Sequence, residues 1–119
     1  MSKQHHFACE NISPVAVEKP RGGTGTLFQR SMVEEAAKGS ALRSMSVSTL
    51  PPGTSIGIHV HDCNEEIYVI LAGEALYTSE EGEHTLKAGD VAVCYKGEKH
   101  GLCNNGTVDC IMAGILIQQ

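Results

Sequence analysis

The sequence predicts an all-β fold, a sandwich or barrel of short strands with one short helix at most. Turn signals recur at short intervals: Arg21-Gly22-Gly23, Pro51-Pro52-Gly53, Ala72-Gly73, Glu81-Gly82, Ala88-Gly89-Asp90, Lys96-Gly97 and Asn104-Asn105-Gly106. The segments between them are rich in β-branched and apolar residues, and this alternation of short strand and turn is the pattern of an antiparallel β protein. Only one stretch, Met32–Lys38, has the composition of a helix, and it is too short to exceed one or two turns. With 119 residues, no internal repeat and no linker-like tract, residues 1–119 read as a single domain.

Each element has its own justification. In Thr26–Met32, Phe28 and Met32 share the parity of Arg30 while Leu27 has the other. Two arrangements fit: Arg30 points inward, or Leu27 defines the core face and Arg30 is exposed. In Arg43–Leu50, Met45 and Val47 share one face and Ser44, Ser46 and Ser48 the other, a period-two alternation with one side buried. Ser55–Val60 follows a Pro-Pro-Gly turn. Ile67–Leu71 is apolar without alternation, as in a strand covered on both faces. Val91–Tyr95 and Asp109–Ile117 complete the set.

Apolar residues make up 41% of the chain and aromatics 4%, with no Trp, so the core rests on Val, Ile, Leu, Met and Ala. A formal charge of −5, with Arg21, Arg30 and Arg43 far apart, gives no electrostatic footprint for nucleic acid. No run approaches the ~20 apolar residues that span a bilayer, and no apolar h-region follows the N-terminus. The five cysteines form no CxxC pair and suit a reducing cytoplasm rather than a disulfide framework.

The chemistry concentrates in three histidines and a glutamate. His59 and His61 are two apart on a strand, so both imidazoles project to one side. Glu66 follows after the turn Asp62-Cys63-Asn64-Glu65, and His100 arrives from a later strand. Two histidines and a carboxylate form a facial ligand set with open positions, and a third histidine makes four ligands. Imidazole with carboxylate suits Mn, Fe, Co, Ni or Zn, and does not suit Ca or Mg. Glu65 competes with Glu66 for the ligand role, but their opposite parity lets only one face inward. Cys63 extends the parity of His59 and His61, and a structural zinc site with Cys103 or Cys110 is the rival metal reading. His5, His6 and His84 read as surface residues.

The spacing around these residues resembles the cupin family. The first cupin motif, G-x5-H-x-H-x3,4-E-x6-G, is met by Gly53, His59, His61, Glu66 and Gly73. The second, G-x5-P-x-G-x2-H-x3-N, is met by Gly89, Gly97, His100 and Asn104, with Tyr95 where the motif has Pro. That departure affects a turn rather than a ligand. The resemblance spans Gly53–Asn104 and implies a six-stranded double-stranded β-helix, a jelly-roll barrel with a metal in its mouth. It assigns His59, His61, Glu66 and His100 as ligands and favours Glu66 over Glu65. Asn104 reads as a turn residue.

A metal with open positions takes a bidentate, oxygen-rich small molecule. Arg30 is a candidate carboxylate anchor because its fork pairs bidentately with such a group, with Arg43 a similar candidate. Tyr68 shares the side of Glu66 and is a candidate donor to a bound oxygenate. Parity also places Gly57 and Ser55 on the side of His59. No residue stands out as a general base, so no catalytic residue is assigned. The leading expectation is a metal-dependent enzyme on a small carboxylate or 2-oxo acid, decarboxylase- or dioxygenase-like. A non-catalytic or sensory metal cupin and a sugar isomerase or epimerase are the alternatives. The resemblance also implies a homodimer, with Ile12–Lys19 pairing with a second copy's sheet edge.

Overall fold

The computed structural model describes residues 4–34 and 39–118. Ten strands fill it: β1 (Val15–Glu18), β2 (Thr26–Val33), β3 (Leu42–Leu50), β4 (Ser55–Val60), β5 (Asn64–Ala72), β6 (Glu74–Ser79), β7 (Gly82–Lys87), β8 (Val91–Cys94), β9 (Lys99–Cys103) and β10 (Cys110–Gln118). They form two antiparallel sheets, a larger one in the order β1-β2-β3-β10-β5-β8 and a smaller one in the order β4-β9-β6-β7. The expected double-stranded β-helix is present, with ten strands rather than six; the N-terminal strands β1 and β2 extend one edge of the larger sheet.

The core lies between the sheets, where Leu27, Leu50, Ile56, Tyr68, Ile70, Tyr77, Leu102 and Met112 pack together. Gly73 joins β5 to β6 at φ 73°, a left-handed conformation, and a side chain there would overlap the Asp109 carbonyl. Asn104 is fully buried after β9 and ties the neighbouring turn together. Its Nδ2 donates to the carbonyls of Leu50 and Val108, each at 2.8 Å, and its Oδ1 accepts from the Gly106 N–H at 3.0 Å. This bears out the turn role. Tyr95 also sits at a turn, where the Glu98 N–H donates to its carbonyl at 3.0 Å.

Several local expectations change. Met32 and Val33 belong to β2, with Val33 paired to Met45, and the rest of the expected helix falls largely outside the described residues. In β3 it is the serine face that turns inward: Ser48 is 3% exposed and lines a cavity with Ser46. Met45 and Val47 therefore point to the outside of the larger sheet. In β5 the face carrying Tyr68 and Ile70 is fully buried, whereas Leu71 on the other face is 51% exposed, so the strand is not covered on both sides. The segment Ile12–Lys19 supplies β1, which pairs with β2 of its own chain through Val17 and Leu27 and is the edge strand of the larger sheet, so its other side is where the expected second copy would pair.

Candidate metal centre

β4, β5 and β9 deliver the four residues. β4 and β9 are antiparallel neighbours, and their register sets His59 opposite His100. Just past β4, His61 is held by two backbone bonds: its N–H donates to Glu98 at 2.9 Å and its carbonyl accepts from Gly97 at 2.6 Å. Glu66 comes from β5 in the opposite sheet, beside Cys94 of β8 and Leu116 of β10.

Between Ile56 and His59 the register slips, so three steps along β4 oppose two along β9. This β-bulge lets both Ile56 and His59 face inward despite their opposite parity. Parity counted back from His59 to Gly57 and Ser55 is therefore interrupted. The bulge carries Gly57, whose missing side chain admits the carbonyl oxygen of Arg21.

The four side chains converge. Glu66 Oε1 lies 3.1 Å from His61 Nε2, 3.2 Å from His100 Nε2 and 3.9 Å from His59 Nε2. His61 Nε2 and His100 Nε2 are 3.0 Å apart. One ligand atom from each residue falls within 4.8 Å of all the others. Ligand atoms ~2.1 Å from a common ion and at right angles stand about 3.0 Å apart. Cysteine is absent from this group, and among the described residues it is the one His/Cys/Asp/Glu cluster able to hold an ion, so the Cys63 zinc reading has no site. Glu65 faces away and accepts from the Lys96 N–H at 3.3 Å.

The outer nitrogen of each ring is also engaged. His59 Nδ1–H donates to the Gly57 carbonyl at 2.7 Å, and His61 Nδ1–H to Asn64 Oδ1 at 2.6 Å. His100 Nδ1 pairs with the Tyr77 hydroxyl at 3.0 Å. A proton on Nδ1 leaves Nε2 with a bare lone pair. In the structure His100 Nε2 hydrogen-bonds to Glu66 Oε1 at 3.2 Å; a cation would take the place of that proton, and three Nε2 lone pairs with the carboxylate oxygen form a set that fits it. Burial alone would raise the Glu66 carboxyl. Hydrogen bonds from His100 and His59, with the charges of His100 and His61, outweigh it and hold the group at about 2. Burial pushes His100 down against the pull of Glu66, which favours the neutral, ligating ring.

Beside the four residues lies a cavity of about 360 Å³, walled by Leu27, Gln29, Ser46, Ser48, Ile56, Tyr68, Met112 and Leu116. The cupin domain family matches residues 46–117. The chain belongs to the cupin family. This cupin is 33% identical over 106 residues to a Thermotoga maritima protein named as an oxalate-binding protein, covering 89% of this chain and 88% of the other. It also superposes on the crystal structure of a predicted oxalate decarboxylase from Thermotoga maritima, with a TM-score of 0.91, 30% identity, and coverage of 97% and 100%. A double-stranded β-helix protein from Klebsiella pneumoniae shares the fold, with a TM-score of 0.73, 23% identity, and coverage of 98% and 91%.

Of the two expected ligand-contacting residues, Tyr68 lines the cavity and Arg30 does not. Tyr68 is buried and stacks on the His100 ring, with centroids 4.5 Å apart. Its hydroxyl is held well above the usual phenol range, first by burial and then by the Glu66 charge. Arg30 donates to Cys9 Sγ at 3.6 Å on the opposite face of β2 from Gln29, the arrangement in which Leu27 defines the core face. Arg43 is exposed. Sequence reasoning gave no cavity role to Arg21, Gln29, Ser46 or Ser48, all of which line it. The serines were visible only as a polar stripe, and Arg21 only as part of a turn.

Proposed function

We propose that this cupin is a metal-dependent enzyme acting on a small oxygen-rich carboxylate or 2-oxo acid, by decarboxylation or oxygenation. The carrying observation is the convergence of three Nε2 atoms and the Glu66 carboxylate at the wall of a polar-floored cavity. His59, His61, Glu66 and His100 would hold a divalent transition metal: Mn, Fe, Co, Ni or Zn. Bound there, the ion supplies Lewis-acid polarisation and a template for a bidentate acid.

The chain's own residues do the rest. Gly57, Asn64 and Tyr77 fix the three imidazoles through their Nδ1 atoms. Tyr68 retains its proton and is a hydrogen-bond donor within the cavity. Gln29, Ser46 and Ser48 offer hydrogen bonds from the floor, while Leu27, Ile56 and Met112 supply apolar wall.

The test is CO2 release or O2 uptake by the metal-loaded protein with a panel of 2-oxo acids and dicarboxylates, run beside binding calorimetry. Turnover supports the enzyme. Binding without turnover supports a module that holds a carboxylate, the reading favoured by the Thermotoga maritima relative's name as an oxalate-binding protein.

The protein also pairs with a second copy in this proposal. The outer face of the larger sheet presents Leu71, Val91, Val93 and Tyr95, all exposed, and a partner sheet would cover them. Light scattering at twice the chain mass supports the pair, and the monomer mass overturns it. Five free thiols support residence in a reducing cytoplasm.

A further inference from the structure

One cationic residue, Arg21, is among those that line the cavity, and none of the four converging residues pairs with it. Arg21 lines it from the Pro20–Gly22 turn, is solvent-exposed, and so stands at the opening. Among the described residues no carboxylate lies within 4.0 Å of its guanidinium, whereas Glu66 is taken up by the histidines. Asp62, also exposed, lines the cavity from the turn after β4.

The turn is held against its own preference. Arg21 has φ 53° and Lys19 φ 46°, left-handed conformations that non-glycine residues rarely adopt. Both persist because the turn is fastened on three sides. The Lys19 N–H donates to the Gly25 carbonyl at 2.8 Å, and the Gly23 N–H to the Pro20 carbonyl at 2.9 Å. The Arg21 carbonyl occupies the space that Gly57 leaves open on β4. The strain therefore fixes an arginine beside the strand that carries His59.

The cavity is also larger than a two-carbon acid requires. Its volume of about 360 Å³ equals roughly a dozen waters at ~30 Å³ each. Leu27, Ile56 and Leu116 give it apolar walls suited to a short carbon chain.

Building on the carboxylate reading above, we propose that Arg21 recognises the far end of the ligand. The ligand class is then a 2-oxo or 2-hydroxy acid with a second carboxylate on a short carbon chain. Its acid head would chelate the divalent ion that the four residues would hold, and its tail carboxylate meets the Arg21 fork.

The test is calorimetric titration of the Mn(II)-loaded protein with 2-oxoglutarate and with 2-oxobutanoate, which shares the head and lacks the tail carboxylate. The wild type binds 2-oxoglutarate at least tenfold more tightly. Arg21→Gln weakens 2-oxoglutarate by about 10- to 100-fold, the range for a charge-assisted pair. It leaves 2-oxobutanoate and the metal content by elemental analysis unchanged, and Arg21→Lys recovers part of the loss. Equal binding of the two acids by the wild type, or an unchanged ratio in Arg21→Gln, overturns the proposal alone. Failure of the metal-loaded wild type to bind either acid overturns the carboxylate reading with it.

Discussion

Tyr68 lies nearly parallel to His100, its ring 4.5 Å away and tilted by 19°. The two residues come from different sheets, Tyr68 from β5 and His100 from β9, so the stack places a rigid floor under one of the converging imidazoles. Tyr68→Phe keeps that floor, and full metal content by elemental analysis is expected. Tyr68→Ala removes a buried aromatic, with an expected loss of about 3–5 kcal/mol in urea unfolding and a fall in metal content.

His61→Ala should strip most of the metal and leave the barrel folded. Its ring contributes one of the four donors, and its backbone bonds to Gly97 and Glu98 do not depend on the side chain. Elemental analysis beside circular dichroism checks both halves. Full metal content in the variant would refute the ligand assignment.

Metal should also stabilise the fold. Glu66 is the one donor of the four that comes from the larger sheet, so an ion shared with the histidines ties the two sheets together. At a free ion concentration near 1,000 times Kd the gain is about 4 kcal/mol. The melting temperature should rise on loading and fall again with a chelator, and Glu66→Gln should reduce the shift.

Alkali should destabilise the protein. Burial raises Tyr68, Tyr77 and Cys94 above their ordinary values of 10.0 and 9.0, the Cys94 thiol to about 11. The folded chain thus keeps protons that the unfolded chain releases, and the slope of stability with pH is negative. The contribution is complete below about pH 9 and is lost as the pH climbs toward the folded-state values. Thermal melts between pH 8 and 11 should show the decline, less steeply in Tyr68→Phe. A flat profile would remove these three groups from the account.

Gly57→Ala and Gly114→Ala should part company. A methyl on Gly57 overlaps the Arg21 carbonyl, so the turn must lift from β4, at about 1–3 kcal/mol. A methyl on Gly114 would meet Glu66 Oε2 and Ser46 Oγ at 3.6 Å, ordinary contact, and should be tolerated while it narrows the cavity. Urea midpoints separate the two, and calorimetry of a bound carboxylate should register the narrowing in Gly114→Ala.

The candidate ligands were legible from His59 and His61 two apart on a strand, Glu66 just past a short turn and the motif spacing that adds His100, whereas the register that sets His100 opposite His59 appears only in the fold. Strand Ser55–Val60 was bounded by turn residues and read correctly. The inward surface was harder. In β3 the side that faces in borders a cavity at Ser46 and Ser48 before it reaches the core at Leu50, so these serines point inward and Met45 and Val47 do not. The bulge in β4 adds a residue without altering the hydrophobic pattern. At Val33, pairing with Met45 of β3 prevailed over helix propensity and carried Met32 into the strand at a register shift. Arg21 sits in a turn whose residues explain the turn and nothing about the cavity beneath it.

The three histidines belong to the smaller sheet or the turn leaving it, while Gln29, Ser46, Ser48 and Met112 belong to the larger. Substitutions that reshape ligand preference can therefore accumulate on one layer while the imidazoles on the other stay as they are. A lineage of such barrels can diversify its cavity wall while keeping the three imidazoles, with Glu66 the one converging residue that shares a layer with the varied positions.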